Sequence, residues 1–228
     1  MSIQLTSIFG CASIGVYALA TDEIVIIPSS ISERKAERFG RWLNAEVVHT
    51  DIGASSLVGV LACANSNGMI LPHIVRDEEI KAIRQVWDGN IAVMETSYTA
   101  YGNMILANDH GAIIDPSIED RERKIIENTL NVEIVEGKIA NLPYVGSLAV
   151  ATNKGVLAHP MINEEEKKII EDLLKVKVTV GTVNRGIPYV ATGLLCNEKA
   201  AVVGFLTTGP ELFIIGQALG VAEEDERS

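Results

Sequence analysis

Three cysteines and four histidines are the residues of this chain that could carry nucleophilic or metal-binding chemistry. A cysteine attacks as its thiolate beside a base, and zinc is held by closely spaced Cys and His ligands. Cys11, Cys63 and Cys196 are too few and too scattered for a zinc site or a disulfide framework. The surroundings of all three cysteines are apolar, as in residues 194–196 (LLC), and apolar surroundings raise the pKa of a thiol and favour inert burial. The sequence therefore predicts no metal, no cofactor and no catalytic thiol.

The composition argues against nucleic acid as the main partner. The 228 residues carry a net charge of −11, whereas phosphate binding needs clustered Lys and Arg. Hydrophobic residues make up 47% and aromatic residues only 5%, so the core must consist of Val, Ile, Leu and Ala. No apolar run reaches the length of a membrane span, and the N-terminus lacks the basic start of a signal peptide. We therefore expect a cytoplasmic protein without membrane contact.

The elements that position these residues follow from an internal repeat. Pro28, Pro72, Pro116 and Pro160 are separated by 44 residues each time, and each ends a segment made of a polar turn and an apolar run. The segments are 21–28, 65–72, 108–116 and 152–160, with a fifth copy at 197–204 that lacks the proline. A small residue also recurs ahead of each turn, at Gly15, Gly59, Gly102, Gly146 and Ala191. Repeats of this period indicate an array of similar structural units.

Each copy has the same order of predicted elements. A short apolar strand, at 104–106 in the third copy, a turn rich in Asn and Gly, and a second strand form a β-hairpin. A charged helix follows the proline, with capping boxes expected at Asn163 with Glu166 and at Thr208 with Glu211. A third strand then completes the unit, at 46–49, 91–95, 132–135 and 176–180. The strand–strand–helix–strand order excludes propellers of the WD type and helical solenoids.

The chain ends favour a closed ring. The fifth copy has no third strand of its own, while residues 3–9 form an apolar strand with no helix before it. Pairing of this N-terminal strand with the fifth unit removes exposed sheet edges. We therefore expect a single domain over residues 1–220, followed by a short acidic tail at 221–228.

Six short segments, in their order along the chain, resemble the archaeal branch of the translation initiation factor 6 family. They are 100–103 (AYGN), 108–109 (ND), 145–147 (VGS), 156–160 (VLAHP), 181–186 (GTVNRG) and 207–212 (TTGPEL). Each motif alone is weak, but their joint spacing over residues 1–220 is specific. The resemblance implies the pentein fold, an α/β closed ring of five pseudo-symmetric units.

The same resemblance implies a ribosome anti-association factor. Members of the family bind the large (50S) ribosomal subunit and keep the small (30S) subunit away, and they also accompany late maturation of the large subunit. The partner implied is a basic ribosomal protein near the sarcin–ricin loop, with rRNA contact secondary, and the negative charge of this chain suits it. A monomer that needs no catalysis is expected.

The residues predicted to bind the ribosome lie around the repeat starts. The resemblance places Asn103 at the ribosome-binding face, beside its repeat equivalents Val60 and Ser147. The remaining predicted contacts are Gly59, Gly102, Gly146, Thr192, Asn184 and Arg185. Structural explanations stand beside these roles. The small residues are expected to lie in strands that crowd near the ring axis, Asn is a common turn residue, and a loop arginine is often salt-bridged. Tyr101, Tyr144 and Tyr189 are predicted to serve packing.

Two other functions stay open at this point. Other penteins are hydrolases and amidinotransferases that act on guanidino groups with a cysteine nucleophile. Here His73 and His159 fall at strand–helix junctions and His110 falls in a hairpin turn, so no Cys–His–carboxylate grouping stands out. A scaffold or small-molecule binder with a polar axial channel is the third reading, although nothing in the sequence names a ligand.

Overall fold

The chain folds into five units of one design, as seen in a computed structural model that describes residues 3–221. Every unit contains a one-turn helix, an antiparallel pair of strands, a long helix and a third strand parallel to the second. The one-turn helices are Ile14–Val16, Val58–Leu61, Tyr101–Met104, Val145–Leu148 and Val190–Gly193. The long helices are Glu33–Leu43, Asp77–Arg84, Asp120–Leu130, Glu164–Leu174 and Gly209–Ala218.

The strands form five separate three-stranded sheets. First strands are Leu19–Ala20, Cys63–Ala64, Ile105–Ala107, Ala149–Ala151 and Leu194–Cys196. Second strands are Ile24–Ile27, Gly68–Pro72, Gly111–Ile114, Val156–Ala158 and Ala201–Gly204. Third strands are Glu46–His49, Asn90–Met94, Glu133–Glu136, Val178–Val180 and, in the fifth unit, Ile3–Thr6. This N-terminal strand pairs in parallel with Ala201–Gly204, in the register Ile3 opposite Ala201.

The second strands are buried on both faces, and this burial joins the units. In the first unit Ile24 and Ile26 pack into the core shared with the second unit, whereas Val25 and Ile27 pack into the core shared with the fifth. Successive side chains of a strand point to opposite faces, so one strand serves two cores. Five such cores lie between neighbouring units, and the succession of contacts returns from the fifth unit to the first.

Buried asparagines connect the units across these interfaces. The Asn108 side-chain amide donates to the carbonyls of Thr152 (3.2 Å) and Leu174 (2.9 Å) in the next unit. Asn65 and Asn197 make the equivalent pairs of bonds to the third and the first unit. Thr21 and Thr152 occupy the same position in the other two units. Each asparagine therefore satisfies backbone carbonyls that would otherwise be buried without partners.

Two details of the predicted elements were wrong. The small residues Gly15, Gly59, Gly102 and Gly146 lie in one-turn helices, not in the strands. The first strand of the third unit accordingly begins at Ile105 rather than Met104, and three third strands differ from their predicted ends by one or two residues. A four-residue helix has too few positions to show a 3.6-residue periodicity in the sequence. The predicted tail, 221–228, lies outside the described residues except for Val221, which is buried.

The strand directions define two ends of the ring. The one-turn helices, the loops after the third strands and the starts of the long helices lie at one end, called here the connection end. The turns between first and second strands lie at the other, called here the hairpin end: residues 21–23, 65–67, 108–110, 152–155 and 197–200. Second and third strands are parallel, so their carboxyl ends meet at the connection end.

Candidate functional site

Glycines bring the one-turn helices together at the connection end. A Cβ added to Gly59 would lie 1.9 Å from the carbonyl oxygen of Gly15, and one added to Gly102 would lie 2.1 Å from that of Gly59. A Cβ on Gly146 would lie 2.2 Å from the carbonyl oxygen of Gly102, and a Cβ on Gly15 would lie 2.0 Å from that of Ala191. No side chain fits at such distances, so these glycines are required by packing. The structural explanation for the repeated small residues is therefore sufficient.

One residue follows each repeated small residue: Val60 follows Gly59, Asn103 follows Gly102, Ser147 follows Gly146 and Thr192 follows Ala191. These four residues are half-buried and differ in their hydrogen bonding. Ser147 donates its hydroxyl hydrogen to the carbonyl of Tyr144 (2.8 Å), and Thr192 donates likewise to Tyr189 (2.7 Å). Val60 has no polar atom in its side chain. Among residues 3–221 the Asn103 side-chain amide makes no hydrogen bond, although its backbone N–H donates to Ala100 (3.0 Å). Asn103 therefore keeps a free donor and acceptor at the connection end.

Exposed apolar side chains lie around the one-turn helices. Tyr144 is 56% exposed, so the prediction of a packing role was wrong for it. Tyr189 is 43% exposed but packs its ring edge to face against His159, with 6.0 Å between the ring centroids. Only Tyr101 is fully buried, since its ring enters the core of the third unit. The connecting loops add further exposed apolar residues: Phe9, Leu57, Leu142 and Ile187. Large exposed apolar patches mark interaction surfaces, which makes these residues candidates for a contact surface.

Asn184 and Arg185 occupy one loop but have different surroundings. Asn184 is buried, donates its side-chain amide to Ala12 (3.0 Å) and is bonded twice to Thr207, so it is a structural residue and not an exposed contact. Its backbone has a φ of 51°, in the left-handed region that Asn tolerates. Arg185 is exposed and remains available to a partner.

Glutamates at the third position of the long helices hold the connecting loops. Glu211 accepts bonds from the backbone N–H of Gly186 (2.8 Å) and Arg185 (3.2 Å), and Glu166 binds Ala140 and Asn141 in the same way. Both glutamates also cap their own helices, which confirms the two predicted capping boxes. Each carboxylate therefore ties a helix start to the neighbouring loop.

Hydrogen bonding strongly stabilises the charged form of Glu211. Burial alone raises the pKa of this carboxyl, but bonds from the backbone of Thr208 and Gly186 and from the hydroxyls of Thr182 and Thr208 outweigh that effect. The net result lowers the pKa of Glu211 to about 2. The carboxylate stays ionised down to very acidic pH.

At the hairpin end three carboxylates converge. Ligand oxygens of Asp22, Asp109 and Glu198 lie within 4.8 Å of one another. They already receive hydrogen bonds, because Asn153 donates to both Asp109 (2.7 Å) and Glu198 (2.6 Å), and Glu198 N–H donates to Asp22 (2.8 Å). The pKa of Asp22 is raised, first by burial and then by its acidic neighbours, despite the bond from Glu198. The sequence did not indicate this cluster, because its members belong to three different repeats.

The cysteines have surroundings unsuited to nucleophilic attack. Burial raises the pKa of both Cys63 and Cys196 to about 12, as the sequence predicted. Cys11 is half-buried, so the expectation of burial was wrong there. Across residues 3–221 no hydrogen bond joins a cysteine to a histidine: Cys63 faces the carbonyl of Ile105, and the His159 Nδ1 atom accepts from Met161 N–H. His110 is exposed in its hairpin turn, as expected.

The one-turn helices and the first strands line a small open cavity. Its volume is about 120 Å³, and small or apolar residues from all five units form its wall. That space accommodates a few water molecules but is well below the 300–1,000 Å³, roughly, of an ordinary ligand pocket. Among the described residues, none of the helices is both long and apolar enough to cross a bilayer.

The architecture defines the class of protein. Two solved structures of dimethylarginine dimethylaminohydrolase, one of them the Pseudomonas aeruginosa enzyme complexed with citrulline, superpose with TM-scores of 0.52 and 0.53. They are 13% identical to this chain; the first covers 88% of it and 89% of the enzyme, and the second 87% and 89%. The fold is therefore pentein-like, as predicted.

Sequence similarity then identifies the family. The model of the eIF-6 family matches residues 3–218. Translation initiation factor 6 of Pyrococcus furiosus is 47% identical over 212 residues, 91% of this chain and 93% of the relative. The proteins of the same name from Methanocaldococcus jannaschii and Saccharolobus solfataricus are 44% and 41% identical, covering 93% and 96% of this chain and 95% and 100% of theirs. The chain belongs to the eIF-6 family, and the resemblance seen in the sequence is confirmed.

Proposed function

We propose that this chain acts in translation initiation by binding the large ribosomal subunit and preventing its association with the small one. Its relatives bear the name translation initiation factor 6, which supports the broad role. The observation that carries the specific role is the connection end, where Tyr144, Tyr189 and Phe9 are exposed and the Asn103 amide has no hydrogen bond within residues 3–221. Aromatic residues with a few unpaired polar groups are typical of protein interfaces.

The partner at this surface is a basic ribosomal protein. A net charge of −11 favours attraction to a basic protein and disfavours phosphate contact, which makes rRNA a secondary partner. Anti-association then needs only that the bound chain occupies a surface which the small subunit also uses. The chain works as a cytoplasmic monomer in this proposal, and a part in large-subunit maturation follows from the same binding.

Sedimentation with separated ribosomal subunits tests the proposal directly. The purified chain should move with the large subunit, remain at the top of the gradient with the small subunit alone, and reduce joined ribosomes as its concentration rises. Recovery at the top of the gradient with both subunits, over a range of salt concentrations, would contradict it. Salt must be varied because electrostatic attraction weakens as ionic strength increases.

The alternative function is hydrolysis or amidino transfer at a guanidino group, which the structural neighbours suggest. It is disfavoured because the buried Cys63 and Cys196 thiols have pKa values near 12 and neither is hydrogen-bonded to a histidine among the described residues. Thiol-directed reagents provide the test: in the folded chain Cys63 and Cys196 should remain unmodified, and citrulline should not accumulate from dimethylarginine.

A further inference from the structure

The connection between the second and third units is shorter than its counterparts. Residues 95–100 make six positions between strand and one-turn helix, whereas 50–57 and 137–144 make eight each. In those longer connections a tight turn is closed by a bridge, between Ile52 and Ser55 and between Ile139 and Leu142. The two residues at each tip have positive φ, for example Gly53 (62°) and Ala54 (56°). The shorter connection lacks a turn of this kind.

Because the turn is missing, the buried Glu122 lacks the two backbone N–H donors that its equivalents receive from the loop. Glu79 accepts from the tip N–H groups of Gly53 (2.7 Å) and Ala54 (2.8 Å), as Glu166 does from its own loop. Glu122 is the equivalent residue in the third unit and is only 5% exposed. It receives the backbone N–H of Glu119 (3.0 Å) and a longer bond from the Tyr101 hydroxyl (3.3 Å).

The Tyr101 hydroxyl compensates only in part. The same oxygen lies 2.7 Å from Thr96 Oγ1, a much shorter contact than the one to Glu122. Either hydroxyl can be the donor in that contact, and when Thr96 donates, the phenol hydrogen is free for Glu122, although that bond is long. Glu122 thus receives two hydrogen bonds, one of them long, whereas a carboxylate can accept roughly four, so it retains capacity for further donors.

A pocket occupies this junction. Its volume is about 400 Å³, and its wall combines apolar side chains with carboxylates: Val93, Met94 and Ile125 with Glu95, Glu119 and Glu122. Arg121 also lines the pocket but is exposed to solvent. An apolar wall that leads to a buried carboxylate suits a long side chain with a methylene stem and a cationic head.

We propose that this pocket binds an arginine side chain presented by a basic protein partner. A guanidinium carries two parallel N–H donors, which match a carboxylate and replace the two tip N–H groups that Glu79 and Glu166 receive. Lysine supplies a single point charge and fits this geometry less well. Glu95 and Glu119 at the wall attract a cationic segment and repel the carboxylate of free arginine.

The inference deepens the proposed function by naming the side chain that the partner contributes, and it rests on that function for the partner's identity. Its first test therefore uses no ribosome. The full chain is titrated with acetyl-Gly-Arg-Gly-amide and followed by amide chemical shifts. Shifts should be confined to residues 93–98 and 119–125. The lysine peptide should bind several-fold more weakly, and the isosteric but neutral citrulline peptide about tenfold more weakly, because it lacks charge-assisted bonds.

Two variants separate a binding role from a structural one. Glu122→Gln should abolish the shifts. Glu166 has the same helix position, but its carboxylate already accepts two loop N–H groups, so Glu166→Gln should bind the peptide as the native chain does. Because Glu122→Gln also weakens a helix cap, the exposed Glu95→Gln is added, and it should weaken binding a few-fold without changing the unfolding midpoint.

The pocket assignment is overturned if the shifts fall elsewhere, if the citrulline peptide binds equally, or if Glu166→Gln loses binding too. If free arginine bound as tightly as the peptide, the proposal that a protein presents the arginine side chain would be overturned. Sedimentation of Glu122→Gln with the large subunit completes the test: weakened binding supports the partner, and unchanged binding refutes it. Failure of the native chain to bind subunits refutes the proposed function, while a positive titration still supports the pocket.

Discussion

Asn103 shows how one residue departs from its repeat equivalents. Ser147 and Thr192 use their hydroxyls to bond the turn that carries them, whereas the Asn103 amide has no such bond within residues 3–221. A polar group that is half-buried without a partner gains more from an incoming ligand than one that is already satisfied. The proposed ribosome contact therefore depends most on this side chain.

We predict that Asn103→Asp weakens binding to the large subunit by about tenfold or more, because it places a charge at the connection end, where exposed apolar side chains lie. Co-sedimentation measures the affinity. His110→Asp at the hairpin end makes the same change in charge far from the surface and should bind normally. Equal loss in both variants would mean that net charge, and not the connection end, controls binding.

A second prediction concerns Asp22. Its pKa is raised, so the charged form is less stable in the folded chain than in the unfolded one. The corresponding loss of stability is absent well below the unfolded pKa of 3.8 and develops as pH rises through the folded pKa. Asp22→Asn should therefore raise the melting temperature at pH 7 by about 1–3 °C, with the gain disappearing near pH 3. Thermal unfolding followed by circular dichroism at both pH values checks this.

At the scale of the element, three long helices are each joined to the preceding loop through one carboxylate, that of Glu79, Glu166 or Glu211. The capping box accounts for the glutamate from local sequence, since a Ser, Thr or Asn precedes it by three residues in the fourth and fifth helices. The bonds from that glutamate to the loop involve residues 25 or 26 positions away, as in Glu211 with Gly186 and Arg185. The helix start is therefore both a local cap and a tertiary contact.

Acid should release this contact in the fifth unit. The pKa of Glu211 is lowered to about 2 from an ordinary value of 4.5. Its contribution is therefore complete above pH 4.5 and is lost as pH falls towards 2. We expect Glu211→Gln to cost about 2–3 kcal/mol at pH 7. The difference from the native chain should shrink between pH 4.5 and 3 in urea titrations. If the free energies of unfolding of the two proteins changed in parallel with pH, the hydrogen bonds described would not be what keeps Glu211 ionised.

At the scale of the whole molecule, the units are held together by cores and by backbone contacts that recur around the ring. Because the second strands are buried on both faces, no single unit can bury its apolar residues without its neighbours. Asn65, Asn108 and Asn197 add bonds across three of the five interfaces. Loss of one interface should therefore destabilise the entire fold, and unfolding should be cooperative.

Asn108→Ala tests this coupling. The substitution leaves the carbonyls of Thr152 and Leu174 buried without the side-chain donor, at a cost of about 1–3 kcal/mol. Urea denaturation should show a lower midpoint with an unchanged slope, because the chain still unfolds as one unit. A reduced slope or two transitions would instead indicate that the third and fourth units unfold separately.

Close packing of the one-turn helices gives a sharper prediction. Gly102→Ala would place a Cβ 2.1 Å from the Gly59 carbonyl, so the turns must separate. We expect a loss of roughly 3 kcal/mol or more, as for other overpacked sites. Gly209→Ala serves as the control, because nothing lies within 4 Å of the added atom there. Similar midpoints for the two variants in thermal unfolding would contradict the packing role.

The amino-acid sequence by itself determined the repeat, the order of elements within it and the helix caps. These depend on local rules of turn residues, strand alternation and capping, which act within about ten positions. The family followed from motifs spread over the chain, and the buried state of Cys63 and Cys196 followed from their apolar neighbours.

Only the tertiary structure decided which equivalent positions differ. It buried Asn184, exposed Tyr144 and Tyr189, and left the amide of Asn103 without a hydrogen bond to any of the described residues. It also showed that the short connection at 95–100 leaves Glu122 beside a pocket. The physical reason is the same in each case. These properties depend on atoms supplied by other segments of the ring, and local sequence carries no information about which of them lie within hydrogen-bonding distance.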